Sequence, residues 1–261
     1  LHKLGAIGPG RLADLVLFDD FNDLAIRRVY KNGRLVARDG APVYDLASRP
    51  PATLRSSVNI KWLEGDEFII PSRGQHCRVI GIVPDQIITD SLVMAPTVLD
   101  GQILSDIDRD LLRLYVVERH RASGRIGKGL VHGFHLQQGA LATSIGHDSH
   151  NIIAIGISDN DVIKAVTTIN KMGGGIALVN EGRVIESLEL PIAGLMSDKP
   201  LEQVSSRTRS LVAACRNLGV TLADPIMTLS FMALPVIPQL KLTDQGLVDV
   251  QTFSHVDLFI E

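Results

Sequence analysis

The sequence has little cysteine, no long apolar run and no basic or apolar leader at its start. Its 261 residues include only two cysteines, Cys77 and Cys215, which lie far apart and form no Cys-x-x-Cys pair. A disulfide framework is therefore not indicated, and we expect reduced core thiols in a cytoplasmic protein. No apolar stretch reaches the length that a membrane-spanning helix needs. The features of a signal peptide are also missing from the N-terminal residues.

Aromatic residues and excess positive charge are also scarce. Aromatic side chains make up 4% of the sequence, and 26 lysines and arginines stand against 29 acidic residues, for a net charge of −3. No basic stripe or aromatic stacking platform appears, so we expect no nucleic-acid partner. The hydrophobic content of 45% and the charged content of 21% are typical of a soluble globular protein of one or two domains.

The order of elements predicts two regions and a linker. Residues 1–48 form a small β unit, in which Asn32-Gly33 marks a tight hairpin turn. Residues 49–57 contain two prolines and show little hydrophobic periodicity, so they are predicted to be the linker. Residues 58–261 alternate strands and helices irregularly, which predicts an α/β or α+β domain with a mixed sheet and flanking helices. Because the chain begins with Leu1 and not with methionine, we expect it to be a piece of a longer polypeptide.

Apolar periodicity and capping residues place most elements of the second region. Ser158 begins a helix that glycines end at 173–175, Asp198 is the expected cap of a helix over 200–218, and Asp224 begins a third helix. The glycine-rich stretch 124–139 is predicted to be a loop or a bent edge. The strands are predicted at 58–62, 77–83, 87–94, 112–118, 141–145, 152–157, 176–179 and 184–188.

One polar cluster lies between two of the predicted buried strands. The stretch SIGHDSHNI, residues 144–152, places two histidines, an aspartate and an asparagine between apolar runs. A metal site, an acid/base pair, a substrate clamp and a plain polar turn are all consistent with this pattern. His132 and His135 repeat the spacing of His147 and His150, so four imidazoles can in principle converge, although His-x-x-His alone is a weak pattern.

Other polar or glycine-rich stretches have simpler interpretations. Gly173-Gly-Gly175 follows a helix and precedes a strand, which is the reverse of the order in a phosphate-binding loop, and is interpreted as a helix stop. Residues 191–198 can shape a pocket wall. Glu118-Arg119-His120 is interpreted as a solvated charge cluster at a strand end. No Gly-x-Ser-x-Gly or other nucleophile motif occurs.

Several stretches resemble known proteins. GAIGPGRLADLVLFDD followed by RRVYKNGRLVARDG resembles the C-terminal β-sandwich segment of metal-dependent amidohydrolases. The remainder is similar to the C-terminal domain of microbial adenine deaminases, and the resemblance covers nearly the whole chain in the family's order and spacing. The matching stretches are GKGLVHGFHLQQGALATSIGHDSHNIIAIGISDNDVIKAV, MGGGIALVNEGRVIESLELPIAGLMSD and FMALPVIPQLKLTDQGLVDV.

The resemblance implies hydrolysis of adenine to hypoxanthine and ammonia, in purine salvage, at a two-metal centre of manganese, iron or zinc. In that family a catalytic barrel supplies the metal ligands, including a His-x-His pair. This chain contains no His-x-His, so the barrel is expected upstream, and we expect this chain alone to bind no metal, to contain no certain catalytic residue and to be inactive. The substrate-pocket candidates in this chain are His147, Asp148, Ser149, His150 and Asn151.

The resemblance also implies partners and leaves alternatives open. The expected partners are adenine, the N-terminal barrel part of the same protein and further copies in a homo-oligomer. One alternative is a non-catalytic oligomerisation or interaction module, in which the 147–150 cluster only holds a domain interface. A less favoured alternative is an independent metal-dependent hydrolase built on the four histidines.

Overall fold

The structure, a computed structural model, describes residues 2–43 and 56–260 and shows an α+β chain. The chain divides into two compact units, Leu1–Pro50 and Pro51–Glu261. Apart from Ser56 and Ser57, the linker predicted at 49–57 lies outside the described residues. No helix in the described ranges is both long and apolar enough to cross a membrane.

The described part of the first unit is an antiparallel sheet in which each strand pairs with the next along the chain. Asn32 and Gly33 both have positive φ values, +48° and +75°, as the predicted tight hairpin turn requires. The Asp14 carboxylate accepts a hydrogen bond from the backbone N–H of Asn32 at 2.8 Å and so fixes this turn. The strands are β1 (Leu15–Phe18), β2 (Ile26–Lys31), β3 (Arg34–Arg38) and β4 (Ala41–Pro42).

This small sheet has no hydrophobic core of its own. None of the described residues 2–43 is buried, and Phe21 is 85% exposed although its ring contacts Phe18 edge to face at 5.1 Å. Val16 and Ile26 are also exposed. A single sheet without a packed face is only marginally stable in water, so the surface of the first unit is suited to pack against further protein.

The second unit is built on a nine-stranded mixed sheet, counted over residues 56–260. Its strand order is β14-β13-β11-β12-β9-β10-β5-β18, with β6 paired to β5, and only the β10–β5 pair is parallel. The strands of this sheet are β5 (His76–Ile82), β6 (Thr89–Met94), β9 (Leu111–Val117), β10 (Ile126–His132), β11 (Ala140–Thr143), β12 (Ile152–Gly156), β13 (Gly175–Asn180), β14 (Arg183–Glu189) and β18 (Phe259–Ile260). Two smaller sheets comprise β7 (Thr97–Leu99) with β8 (Gln102–Leu104), and β15 (Leu240–Thr243), β16 (Gly246–Asp249) and β17 (Ser254–Val256).

Both faces of the large sheet are covered by apolar layers. Along β9 the side chains of Leu112, Leu114 and Val116 enter one core cluster, whereas Tyr115 and Val117 enter the other. This alternation follows from the period of two in a strand. Because both faces are buried, the central strands are apolar at nearly every position, which explains why they are recognisable as continuous apolar runs.

Three helices flank this sheet within the described residues. Ser158 caps the first by accepting a hydrogen bond from the backbone N–H of Asp161, and Gly173 ends it in the left-handed conformation, both as predicted. Asp224 caps the third in the same manner. The second helix begins after Pro200 without a side-chain cap, so the prediction that Asp198 caps it is wrong. The helices are α1 (Asp159–Met172), α2 (Leu201–Asn217) and α3 (Pro225–Phe231).

The sheet register gathers several connections at one edge. Val117 at the end of β9 pairs with both Ile126 and Ile152, which begin β10 and β12. Thr143 pairs with Ile176, so β11 also ends and β13 begins at this edge. The segments 118–125, 144–151 and 190–197 therefore leave the sheet side by side, and we refer to them together as the loop edge.

The stretch 124–139 contains a sheet strand, so the prediction of a loop or bent edge is wrong there. Strand β10 occupies its centre, and two of its glycines are required by close packing. A Cβ atom at Gly127 would overlap the carbonyl oxygen of Thr243, and one at Gly129 would lie 3.3 Å from the side chain of Leu242. Because these glycines have no side chain, the β15–β16 hairpin can pack directly on the strand, and the glycines do not interrupt it.

Residues 58–62 form no strand, which corrects another prediction from apolar alternation. Val58 is buried in the core cluster that includes Phe68, but the backbone joins no ladder. Instead the Asn59 N–H donates to the carbonyl of Arg119, and the Asn59 carbonyl accepts from Ala122. This segment therefore supports the loop edge by isolated hydrogen bonds.

Glu118 organises the first segment of the loop edge. Its carboxylate accepts hydrogen bonds from the backbone N–H groups of His120, Arg121 and Ser123 and from the Ser123 hydroxyl, at 2.6 to 3.0 Å. Burial by itself would raise the pKa of Glu118, but these four hydrogen bonds outweigh it and lower the pKa to about 2. The interpretation of Glu118 and Arg119 as solvated charges is wrong, since they are only 3% and 1% exposed.

Removing the charge of Glu118 is expected to destabilise the second unit in a pH-dependent way. Its folded pKa lies below the ordinary value of 4.5, so the carboxylate contributes stability above that value and the contribution is lost as the pH falls towards 2. We expect Glu118→Gln to lower the free energy of unfolding by about 2 kcal/mol at pH 7. Urea unfolding at several pH values measures this, with the exposed Glu202→Gln as control. A difference from wild type that stays constant between pH 7 and pH 3 would contradict it.

The first unit is expected to exchange its amide hydrogens faster than the second. Residues 12–40 pair in a sheet but bury no core, so opening this sheet costs little free energy. Hydrogen exchange on the 261-residue chain should show that the amides of residues 12–40 are much less protected than those of β9 and β12. Equal protection in the two units would count against this expectation.

Candidate functional site

The polar cluster forms a turn between β11 and β12, as predicted. Asp148 and Ser149 are exposed at its tip, whereas His147 and His150 are half-buried beneath them. Asn151 is buried, with 3% of its surface exposed. The structure therefore brings the five candidate residues together but presents two of them outward and directs the asparagine into the protein.

The turn is closed by its own backbone and by one aromatic contact. The His150 N–H donates to the carbonyl of Gly146, and His150 has a left-handed φ of +53°. Such a conformation costs a residue with a side chain on the order of 1 kcal/mol, which surrounding contacts must offset. The His147 ring stacks on Phe231 at the end of α3, with centroids 4.9 Å apart and planes 16° apart.

Arg119 lies beneath the turn as a buried cation. Its Nε donates to the carbonyl of His150. Its two terminal nitrogens donate to the carbonyls of Ser57 and Ala193, each at 3.1 Å. One guanidinium thus joins the turn, the start of the described second unit and the segment 190–197, because its N–H groups point in fixed and different directions.

Two further contacts attach the flanks of the turn. His120 Nε2 lies 2.8 Å from the carbonyl oxygen of Ser149. On the other side, the Asn151 amide donates to Asp244 at 3.1 Å, and the second oxygen of this carboxylate pairs with Arg125 at 2.7 Å. Asn151 is therefore engaged in holding the turn against the β15–β16 hairpin.

The surroundings of His150 favour its neutral form. Burial, followed by the positive charge of Arg119, lowers the pKa of His150 below its ordinary value of 6.5. At pH 7 its imidazole is therefore neutral and can accept one hydrogen bond and donate another. The Asp148 carboxylate forms no hydrogen bond or ion pair with any residue in the described ranges. His147 Nε2 and His150 Nδ1 are buried without a hydrogen-bond partner, so both rings retain unused polar capacity.

The segment 190–197 forms one wall of an apolar cavity next to the turn. The Ser144 hydroxyl donates to the carbonyl of Gly194 at 2.6 Å and accepts from the N–H of Gly175 at 2.8 Å, so it ties this segment to the sheet. The cavity has a volume of about 610 Å³, and the prediction that 191–198 shapes a pocket wall is confirmed. Its lining includes Ile145, Leu195, Met196, Ile226 and Met227.

His132 and His135 do not join the cluster. They lie at the opposite edge of the sheet, where His135 pairs with the Asp110 carboxylate at 3.1 Å and His132 approaches the Asp110 carbonyl at 3.2 Å. Across residues 2–43 and 56–260, no three His, Cys, Asp or Glu side chains are arranged to hold a metal ion. The idea of four converging imidazoles is therefore wrong, and the described residues do not fit a metal centre.

Sequence reasoning missed the residues that support the turn. Arg119, Asp244 and Phe231 contact it from segments 31 or more positions away along the chain, and no local pattern identifies them. The available signal was the position of Glu118 and Arg119 directly after an apolar strand. A charged pair that follows a fully buried strand starts inside the protein and needs partners there.

Comparison with known proteins agrees with the resemblance. The adenine deaminase C-terminal domain family matches residues 86–254. The chain is 46% identical over 263 residues to an adenine deaminase of Methanothrix thermoacetophila, covering 100% of this chain and 46% of that protein. It is 44% identical to adenine deaminase 2 of Carboxydothermus hydrogenoformans and 44% identical to an adenine deaminase of Desulfatibacillum aliphaticivorans. These matches cover 98% and 99% of this chain and 45% of each relative.

The chain thus spans less than half the length of these curated relatives. The matched family region begins before β6 and ends in β17, so it includes the whole loop edge and the turn 147–150. On this match, which extends over more than half of its residues, the chain belongs to the adenine deaminase C-terminal domain family.

Proposed function

We propose that this chain is the C-terminal portion of an enzyme that hydrolyses adenine to hypoxanthine and ammonia. In this reaction the C6–N bond to the exocyclic amino group breaks, a C6–O bond to water forms, and the amino group leaves as ammonia. The observation that carries the proposal is the 46% identity over the whole chain to a protein named adenine deaminase. A role in purine salvage, a cytoplasmic location and a homo-oligomeric state are parts of the same proposal.

The metal chemistry in this proposal belongs to the part of the enzyme outside this chain. The described residues contain no suitable group of three ligands, so they fit no metal centre. A centre of manganese, iron or zinc, held by the proposed barrel, would supply the activated water. The residues of this chain would bind, orient and shield the purine.

The turn 147–150 offers groups that complement a purine edge. The exposed Asp148 carboxylate can accept hydrogen bonds from ring or exocyclic N–H groups. A neutral His150 can accept from an N–H or donate to a ring nitrogen, and the Ser149 hydroxyl can do either. An ordered polar turn that closes over a reacting base also excludes bulk water, which strengthens electrostatic interactions within the site. The proposal therefore places Asp148, Ser149 and His150 beside the substrate.

An interaction module is a second candidate function, and the first unit favours it. The described residues 2–43 expose apolar side chains and bury none, which suits a surface that packs against another part of the protein. In this alternative the turn 147–150 fastens a domain interface and contacts no substrate. The two functions differ in what substitutions in the turn do to turnover and to stability.

The isolated chain of 261 residues is expected to bind no stoichiometric transition metal. This expectation rests on the arrangement of the described His, Cys, Asp and Glu side chains and on the absence of a His-x-His pair from the sequence. Elemental analysis after dialysis against manganese, iron(II) or zinc measures it. One or two tightly held ions per chain would overturn it and would require ligands that the described residues do not bring together.

Substitutions in the turn are expected to lower turnover in the complete enzyme. If Asp148 and His150 form transition-state hydrogen bonds or transfer protons, Asp148→Asn and His150→Ala should lower kcat/KM for adenine by about two to four orders of magnitude. Loss of a contact that only positions the substrate would lower it less. Metal content and folding should stay as in the wild type.

The interaction-module alternative gives the opposite pattern. It expects normal turnover per folded molecule and a lower Tm, because a half-buried polar turn has lost its partners. Asp85→Asn is a matched control, since Asp85 is an exposed aspartate in the β5–β6 connection, away from the loop edge. Near-normal kinetics in destabilised variants would refute the role of the turn at the substrate.

A further inference from the structure

We propose that Arg119 and His120 are positioning residues that hold the turn 147–150 by two adjacent attachments. Arg119 donates to the carbonyl of His150, and His120 lies within hydrogen-bond distance of the carbonyl of Ser149. Two consecutive residues of one segment thus bind two consecutive carbonyls of another. This inference rests on the proposed function, because the turn is the element that function places beside the substrate.

Each attachment fixes a different part of the turn. The Ser149 carbonyl can only accept, so the His120 ring must donate from Nε2 across the 2.8 Å separation. His120 is exposed and holds the outer side of the turn. Arg119 is buried and holds the inner side. With the carbonyls of Ser149 and His150 both fixed, the backbone that carries Asp148 has little freedom to rotate.

The Arg119 attachment extends beyond the turn. The same guanidinium binds the carbonyls of Ser57 and Ala193, and it forms no ion pair with any residue of the described ranges. Gly194 closes over it, because a Cβ atom there would lie 2.7 Å from Nη1 of Arg119. The same rigid, planar guanidinium group therefore holds both the turn and the wall of the apolar cavity.

Glu118 directs the two attachments to opposite sides. By binding the N–H groups of His120, Arg121 and Ser123, its carboxylate fixes the backbone from which both side chains start. Arg119 consequently points into the protein and His120 points along its surface. The segment Glu118-Arg119-His120 therefore forms a support for the turn, in place of the charge cluster that its sequence suggests.

His120 provides the decisive test, because its side chain is exposed and its substitution removes no buried packing. We expect His120→Leu to raise the hydrogen-exchange rate of the His150 amide, which bonds to Gly146 within the turn, by about tenfold. His120→Gln, which can place a donor near the Nε2 position, should restore most of the protection. Arg121→Leu is the matched control, since the exposed Arg121 side chain lies on the same segment and forms no hydrogen bond with residues 2–43 or 56–260.

In the complete enzyme the same variants should change kcat much more than KM. Loosening the turn should lower kcat for adenine by about tenfold and change KM little, with rescue by His120→Gln, because a misplaced group loses mainly transition-state contacts. Arg119→Lys keeps the charge but cannot reach all three carbonyls. If this variant folds, as shown by its Tm, its His150 amide should also exchange faster.

The outcomes distinguish this inference from the proposed function. Unchanged exchange in His120→Leu and in folded Arg119→Lys overturns the positioning role. Faster exchange with unchanged turnover overturns it as well if Asp148→Asn does lower turnover, because the attachment then does not place the group that acts. Faster exchange with normal turnover in every variant, Asp148→Asn included, supports the positioning role and refutes the proposed role of the turn at the substrate.

Discussion

Strand β9 is the constraint on which the second unit depends. All seven of its residues are buried, and it pairs with β10 on one side and β12 on the other. The residues that directly follow such a strand lie in the protein interior, so their polar groups need hydrogen-bond partners there. Glu118 finds them in backbone N–H groups and Arg119 in backbone carbonyls. The organisation of the loop edge follows from satisfying these two buried charges.

Much of the fold could be predicted because local rules and burial agree along most of the chain. The helix that Ser158 begins and Gly173 ends, and the hairpin turn at Asn32-Gly33, follow from capping and turn chemistry within a few residues. The wrong prediction for residues 124–139 has a clear physical cause. Strand β10 contains glycines because the β15–β16 hairpin packs directly on them. That requirement comes from a segment more than a hundred residues away, which local sequence does not show.

The candidate site was predicted only as a cluster and not as an arrangement. Composition identified the turn, but the split between the exposed Asp148 and the buried Asn151 depends on Asp244, which is 93 residues from the asparagine. The stacking of His147 on Phe231 likewise depends on where α3 ends. Conversely, the spacing of His132 and His135 suggested convergence with the turn, whereas strand β10 carries them to the opposite edge of the sheet. Equal spacing along the chain says nothing about distance once a strand intervenes.

Two other cations of this unit, one buried and one half-buried, also attach irregular segments. The fully buried Lys241 on β15 donates to the carbonyl of Ile87 at 2.9 Å, and burial lowers its pKa to about 8. Lys128 on β10 donates to the carbonyl of Ile69 at 2.7 Å. Like Arg119, each lysine binds a carbonyl of a segment that has no ladder of its own. The peptide dipole partly compensates the charge, and the protein interior is screened little by salt.

This arrangement explains how a unit with long irregular connections can present an ordered turn. A surface ion pair contributes little and weakens as salt increases, whereas a buried donor that would otherwise remain unsatisfied makes any displacement of its carbonyl costly. At the loop edge the displaced carbonyl would belong to His150 itself. The conformation of the turn is therefore determined from beneath, by groups that no ligand needs to touch, and its exposed tip remains available for recognition.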